Sequence, residues 1–354
     1  MLRRCKTWDY RERCIYMVTF CTEGRLPLLG RLVGDETHAR IELSDAGRIV
    51  EQCWLDLPSR YPQVALLEHQ IMPDHFHGIL FVRERLPKPM GSLIGMVKAH
   101  SSSLYLSAQA PSGFSAQAPH TEQSAASCEA LAPNVPCEAL APNVPCEALA
   151  PNVPYEALAP NVPCEALAPR LKGLWSPGFQ DTILFHEGQL AKMRAYVLDN
   201  PRRLAVKRAH PELFRIVRDL PLCGTTFAAI GNHFLLERPE RLQIQCSRSI
   251  TPEELAEKQE HILALCRHGA VAVSPCISPG EKQIAHAVME ANLPLIVLLE
   301  NGFPPMYKPP GKYFEACSEG RLLMLAPWQY HTERRTITRE QCLQLNEYTR
   351  LICL

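Results

Sequence analysis

The chain has no net charge: its 354 residues hold 37 Lys and Arg against 37 Asp and Glu. This balance excludes a protein coated uniformly by nucleic acid, which needs a broad excess of cations. No apolar run is long enough to cross a bilayer as a helix, and the start Met1-Leu2-Arg3-Arg4-Cys5-Lys6 lacks the apolar core of a secretory signal, so no membrane partner is expected. Fifteen cysteines suggest a disulfide scaffold, yet none stands in a Cys-x-x-Cys pair, and Cys128, Cys137, Cys146 and Cys164 belong to a repeat. The reduced cytoplasm is the compartment these features imply. No Lys or Arg lies between Lys98 and Arg170, which removes that stretch from contact with DNA phosphates.

That stretch is dominated by the nonapeptide Cys-Glu-Ala-Leu-Ala-Pro-Asn-Val-Pro, which recurs from Cys128 with Tyr155 replacing one cysteine and ends in a partial copy at Pro169. Two prolines in every nine residues exclude a regular helix or central strand, and the period is too short for a packed structural repeat. Residues 107–169 read as a proline-rich linker with no chemistry of its own, copied at the DNA level. Cations gather elsewhere. Arg3, Arg4, Lys6, Arg11 and Arg13 crowd the start, and Lys192, Arg194, Arg202, Arg203, Lys207 and Arg208 fall around residues 190–210. Such charges serve solubility on many surface helices, but beside a phosphodiester site they would cradle a backbone.

The run Ile71-Met72-Pro73-Asp74-His75-Phe76-His77-Gly78-Ile79-Leu80-Phe81-Val82 contains paired histidines. In a strand, alternate side chains share a face, so His75 and His77 project together, about 7 Å apart along the backbone, with Phe76 turned away. Two neutral imidazoles suit a divalent cation and leave coordination positions open, as a catalytic centre requires. On spacing alone, ordinary partly buried histidines are the better explanation of the pair; the surroundings decide.

Met72-Pro73-Asp74-His75-Phe76-His77-Gly78 resembles the histidine–hydrophobe–histidine (HUH) motif of the single-tyrosine transposases, especially the REP-associated and insertion-sequence-200-like group. Tyr16 to Thr22 resembles that family's first strand, and Ile41 to Val50 the start of its first helix. Leu174 to Asp181 resembles its late strand, and Tyr196-Val197-Leu198-Asp199-Asn200-Pro201 its tyrosine helix. The resemblance covers residues 1–210, interrupted once. It implies a ferredoxin-like domain with His75, His77 and Asn200 as ligands of Mg²⁺ or Mn²⁺. It implies Tyr196 as the nucleophile that forms a 5′-phosphotyrosine and releases a 3′-hydroxyl. Related transposases often carry glutamine at the position of Asn200. A tyrosine hydroxyl ordinarily keeps its proton to about pH 10, so its attack on a phosphodiester calls for a cation to polarise the phosphate. Tyr196 and Asn200, four apart, share a helix face, and Pro201 is expected to end that helix and draw Asn200 out of helical geometry.

The remaining pattern gives strands at 14–21, 64–72, 75–83 and 182–185 and helices at 44–57, 91–105 and 189–200. This order suits an α+β sandwich with an antiparallel sheet. Beyond residue 220, strand Ala270 to Val273, helix Glu281 to Asn292 and strand Leu295 to Leu299 make a βαβ unit and hence a parallel sheet. Ser278 and Gly280 open its helix and offer amides to an anion, although the same loop is a common helix start. Residues 274–287 and 295–307 resemble the Rossmann-like core of the DNA-processing protein A group, which binds single-stranded DNA, with Pro275 and Pro279 at positions where that motif has glycines.

The expected organisation is an α+β ferredoxin-like domain (1–106 with 170–215), the insertion (107–169) and an α/β Rossmann-like domain (220–354). The expected function is metal-assisted tyrosine nicking and rejoining of single-stranded or hairpin DNA, as in DNA transposition, with Arg3, Arg4, Lys192, Arg194, Arg202 and Arg203 on the DNA. A homodimer is compatible with it. Two other readings stand beside it: a DNA-binding protein that keeps the fold without transposing, and a metal hydrolase that uses water in place of Tyr196.

Overall fold

Residue alternation in one strand organises the first sheet. The computed structural model describes residues 7–109, 173–247, 249–305, 307–333 and 335–354. Arg3, Arg4 and nearly all of the insertion lie outside the described residues. The elements that follow belong to two compact units, Met1–Arg31 with Ile41–Leu198, and Leu32–Arg40 with Asp199–Leu354.

Strand β1 (Cys14–Cys21) is followed by β2 (Gly30–Val33) and β3 (Arg40–Leu43), which pair in a two-stranded ribbon. Next come α1 (Asp45–Leu55), α2 (Leu57–Arg60), β4 (Val64–Met72), β5 (His75–Val82), α3 (Met90–Gln109), β6 (Gln180–Leu184) and α4 (Gln189–Ala209). The helix expected over 44–57 divides at Asp56. There Pro58, which has no amide to continue the ladder, opens the short second helix. The four-stranded sheet runs β4-β5-β1-β6 with antiparallel neighbours. Tyr16, Val18 and Phe20 of β1 and Phe76, Leu80 and Val82 of β5 share a core with Val50 and Trp54 of α1 and with Leu93, Ile94 and Val97 of α3. Phe76 is central to it: its ring lies 4.8 Å from that of Phe20 and 4.9 Å from that of Trp54. The opposite face carries Met17 and Ile79, which pack on Val197 of α4.

The chain returns from the insertion to the place it left. Trp175 donates its indole N–H to Ser101 Oγ of α3 at 2.9 Å, Leu174 N donates to Ser102 Oγ at 3.3 Å, and Ser176 N donates to the Cys21 carbonyl at 3.0 Å.

The helix expected to stop at Pro201 instead continues to Ala209, with Asn200 helical and buried. Pro201 cannot donate to the Val197 carbonyl, a loss of about 3 kcal/mol in an isolated helix. Burial of Val197, Ala205 and Val206 along the same helix offsets it. The division between units falls inside α4, not in the 215–220 stretch, because Arg202 and Arg203 are tied to Glu315 and Phe314 of the second unit.

The second unit continues with α5 (Pro211–Phe214), β7 (Val217–Leu222), β8 (Thr225–Gly231), β9 (Arg241–Gln243), α6 (Pro252–Arg267), β10 (Val271–Ser274) and α7 (Pro279–Glu290). It closes with β11 (Leu295–Leu298), α8 (Gly311–Ser318), β12 (Leu322–Ala326) and α9 (Arg339–Ile352). Its sheet runs β7-β8-β12-β11-β10-β9, parallel from β9 to β12, with β8 and β7 antiparallel at one side. Both faces are covered, so its central strands are apolar throughout. Ala272, Val297 and Met324 face Ile262 of α6, Ile284 of α7 and Cys317 of α8, whereas Val273, Ile296 and Leu325 face Leu345 and Ile352 of α9. Among the described residues, the cysteines form no disulfide, and no helix is long and apolar enough to cross a membrane.

Two outcomes follow from this packing. A Cβ at Gly78 would stand 2.5 Å from the Trp54 ring and 2.7 Å from the Phe76 ring. Gly78→Ala is therefore expected to destabilise the first unit by about 1–3 kcal/mol in urea unfolding, and an unchanged midpoint would refute the close approach. Because both ends of the insertion are anchored on one element, removal of residues 128–163 is expected to leave the unfolding midpoint within about 1 kcal/mol. A collapse of solubility would show that the repeats pack on the domain.

Candidate active site

The turn Pro73–Asp74 joins β4 to β5 and places His75 and His77 on the face opposite the aromatic core. It is tied down by its own backbone. Thr22 N donates to the Asp74 carbonyl at 3.0 Å, and Leu29 N donates to the Pro73 carbonyl at 3.0 Å. Both histidines are buried, with 6% and 4% of their surface exposed. Their rings lie 4.7 Å apart, centre to centre, with planes at 88°.

Each ring is anchored through Nδ1. Asp74 Oδ1 lies 2.6 Å from Nδ1 of His75, and because an ionised carboxylate only accepts, this nitrogen donates. Thr19 Oγ1 lies 2.6 Å from Nδ1 of His77, where either partner can donate. Thr19 stands opposite His77 in the pairing of β1 with β5, so one register supplies both the ring and its anchor. Burial alone would raise the Asp74 carboxyl, but the hydrogen bond from His75, the charge of that ring and Arg25 at 3.2 Å hold it down to about 2. Imidazole Nδ1 held by a carboxylate or hydroxyl is the arrangement that orients metal-binding histidines.

Tyr196 comes to the same face from α4. Its ring centre lies 5.7 Å from that of His77, with planes at 69°, and the neighbouring Val197 is fully buried against Met17 and Ile79, fixing the helix on the sheet. Asn200 lies one turn further along α4 and is 6% exposed. Among the described residues, no group of three or more His, Cys, Asp or Glu side chains could hold a metal ion, so any cation here would need donors besides the two imidazoles.

The cations named from sequence part company. Lys192 and Arg194 are exposed on α4, with Arg194 3.4 Å from Glu68. Arg202 instead donates to Asp199 at 2.6 and 3.1 Å and to Glu315 at 2.6 Å, while Arg203 lies 3.7 Å from the centre of the Phe314 ring and donates to the Pro309 carbonyl at 2.9 Å. These two guanidinium groups are engaged within the second unit.

The anion expected at Ser278 and Gly280 is supplied by the chain itself. Buried Glu281 accepts from Ile277 N at 2.8 Å, Ser278 N at 3.1 Å and Cys246 N at 3.3 Å, completing a capping box with the Ser278 hydroxyl. An incoming phosphate would meet this carboxylate. Gly280 answers to packing, since a Cβ there would lie 3.1 Å from that of Cys246. Asp74 and Thr19 were missed as functional positions from sequence, although Asp74 adjoins the histidine motif and Thr19 shares the strand phase of Met17.

No family profile matches the chain. An uncharacterized protein of Haemophilus influenzae strain Rd is 35% identical over 83 residues, which span 23% of this chain and 44% of that relative's length. Among solved structures, a REP-associated tyrosine transposase bound to a REP hairpin is similar over 56% of this chain and 73% of its own, at 10% identity and a TM-score of 0.29. A candidate transposase from Deinococcus radiodurans is similar over 56% of this chain and 97% of its own, at 12% identity and a TM-score of 0.25. DNA processing protein A from Helicobacter pylori, whose structure concerns its single-stranded DNA binding, is similar over 39% of this chain and 65% of its own, at 16% identity and a TM-score of 0.30.

Proposed function

We propose that the first unit is a ferredoxin-like HUH domain that nicks and rejoins single-stranded or hairpin DNA through Tyr196. The second, Rossmann-like unit belongs to the same DNA-processing protein of the cytoplasm. The observation that carries the reading is the anchored pair His75 and His77, each Nδ1 at 2.6 Å from Asp74 or Thr19, with the Tyr196 ring 5.7 Å from that of His77. The two oriented imidazoles, His75 and His77, would hold a divalent cation and leave it open positions for substrate. When bound, Mg²⁺ or Mn²⁺ polarises the scissile phosphate and offsets the charge that develops on it.

The chain's own residues then do the following. Asp74 and Thr19 hold the imidazoles so that their orientation is set before substrate arrives. Burial of Val197 fixes the first half of α4 on the sheet and with it the position of the phenol. Tyr196 Oη bonds to phosphorus and gives up its proton, the bond from phosphorus to the 3′ oxygen breaks, and that oxygen takes up a proton as a hydroxyl. One phosphodiester has been exchanged for another, so an incoming 3′-hydroxyl reverses the step without an energy source. Lys192 and Arg194, exposed on α4, would hold flanking phosphates.

End-labelled single-stranded DNA incubated with the protein and Mg²⁺ is expected to give a denaturant-resistant protein–DNA band, absent with Tyr196→Phe. Adduct formation by the phenylalanine variant would move the nucleophile elsewhere. His75→Ala and His77→Ala are each expected to slow adduct formation by about tenfold to a hundredfold with DNA affinity little changed, and Asp74→Asn is expected to weaken Mn²⁺ binding by a comparable factor. Full cleavage by the double alanine variant would remove the metal from the reading.

A further inference from the structure

Four residues other than glycine, among those described, hold a left-handed backbone, and three of them, Cys223, Cys276 and Asn292, lie in the second unit. The fourth, Arg25, stands beside the paired histidines. It ends the short 3-10 turn Glu23–Arg25 with φ at 59°, directly after Gly24 at 60°, and only the glycine adopts this conformation without strain. The turn is fixed on several sides. Thr22 N donates to the Asp74 carbonyl at 3.0 Å, Glu23 N donates to the Leu174 carbonyl at 3.0 Å, and the Ser176 hydroxyl donates to the Thr22 carbonyl at 2.8 Å. From this turn the Arg25 guanidinium donates through Nη1 to Asp74 Oδ2 at 3.2 Å, while Oδ1 of the same carboxylate lies 2.6 Å from His75 Nδ1.

Stability does not account for this arrangement. The Arg25 side chain is 41% exposed and that of Asp74 27%, so water screens the pair and it stabilises the fold little, while the left-handed backbone at Arg25 works against the fold. A strained residue persists where its surroundings over-determine it, and such residues gather where geometry serves function. The geometry at stake is that of a carboxylate. The last torsion of an aspartate has broad wells, so a group held by one oxygen alone can swing, and a guanidinium on the second oxygen fixes its plane. The imidazole bonded to that carboxylate is then fixed with it.

We propose that Arg25 is a positioning residue that acts through Asp74 to set the orientation of the His75 imidazole. Its consequence for a bound cation rests on the function proposed above, whereas the orienting role does not. The strained turn is thereby assigned to the site, and the returning chain at Leu174 and Ser176, which holds that turn, becomes part of the support of His75.

The test uses the full chain, metal-free and labelled with 15N-histidine. In wild type the His75 Nδ1 proton, assigned by its loss in His75→Gln, is expected to give a sharp downfield resonance, because it is held by a carboxylate at 2.6 Å. Arg25→Gly, which relieves the left-handed backbone, and Arg25→Gln are both expected to broaden or shift it. Mn²⁺ affinity, read by electron paramagnetic resonance, is expected to fall about threefold to tenfold in these variants, and Arg25→Lys is expected to recover most of both signals. The Tm of Arg25→Gly is expected to stay at or above that of wild type, since glycine takes this backbone freely. Absence of the resonance from wild type, or its persistence unchanged in both variants, overturns the proposal. If oligo-dT affinity in EDTA falls while the resonance persists, the guanidinium is a phosphate contact instead. A lower Tm in Arg25→Gly makes Arg25 a structural residue and overturns the proposal as well. A wild type that never forms the tyrosine adduct, while Arg25→Gly still disturbs the His75 resonance, sinks the nicking reading and leaves the positioning role standing.

Discussion

The register between β1 and β5 is the constraint on which the rest of the first unit depends. It sets Thr19 opposite His77 and Cys21 opposite His75, and it turns Phe76 into the aromatic core between them. Side chains alternate along a strand, so a slip of one residue would drive both imidazoles into the packing of α1 and α3 and expose Phe76. Such a slip would separate the Phe76 ring from those of Phe20 and Trp54 and desolvate two polar rings without partners. That cost makes the histidine geometry a property of the fold. The same strand thus serves two faces with opposite demands, one apolar and closely packed, the other polar and held by specific hydrogen bonds.

The second unit meets a different constraint. Its parallel strands are covered on both faces, which removes alternation and leaves runs such as Val271–Ser274 and Leu295–Leu298 buried at every position. Polarity is confined to strand ends and helix caps. There the chain satisfies its own backbone, as Glu281 does for two amides at the start of α7 and for that of Cys246 beyond β9.

What could be read from sequence follows from these two regimes. The alternating strand at 75–82, its turn and the βαβ unit around α7 were legible, because two-fold periodicity and capping residues are local signals. β7 was not: Pro221 speaks against a strand, and the structure accommodates it at the sheet edge opposite Thr226, where a missing amide costs little. The run of α4 through Pro201 was misread for a related reason, since the rule that ends helices at proline is local and the burial that carries this helix onward is not. The site divided in the same way. The histidines and Tyr196 were legible as a motif. The partners that orient the imidazoles depend on strand register, and the filling of the α7 amides by Glu281 depends on a side chain folding back on its own loop.

The anchoring of both insertion ends on α3 and the strand beside it has an evolutionary reading. A loop whose entry and exit are fixed side by side is a closed circuit as far as the core is concerned, and its contour length does not enter the core's energetics to first order. The array filling it is built of nine-residue units, so gain or loss of one copy by slippage always adds or removes whole codons. The gene can therefore lengthen and shorten at this position without a frameshift, and lineages that differ in copy number would differ in mass while keeping the sequence of the two flanking units.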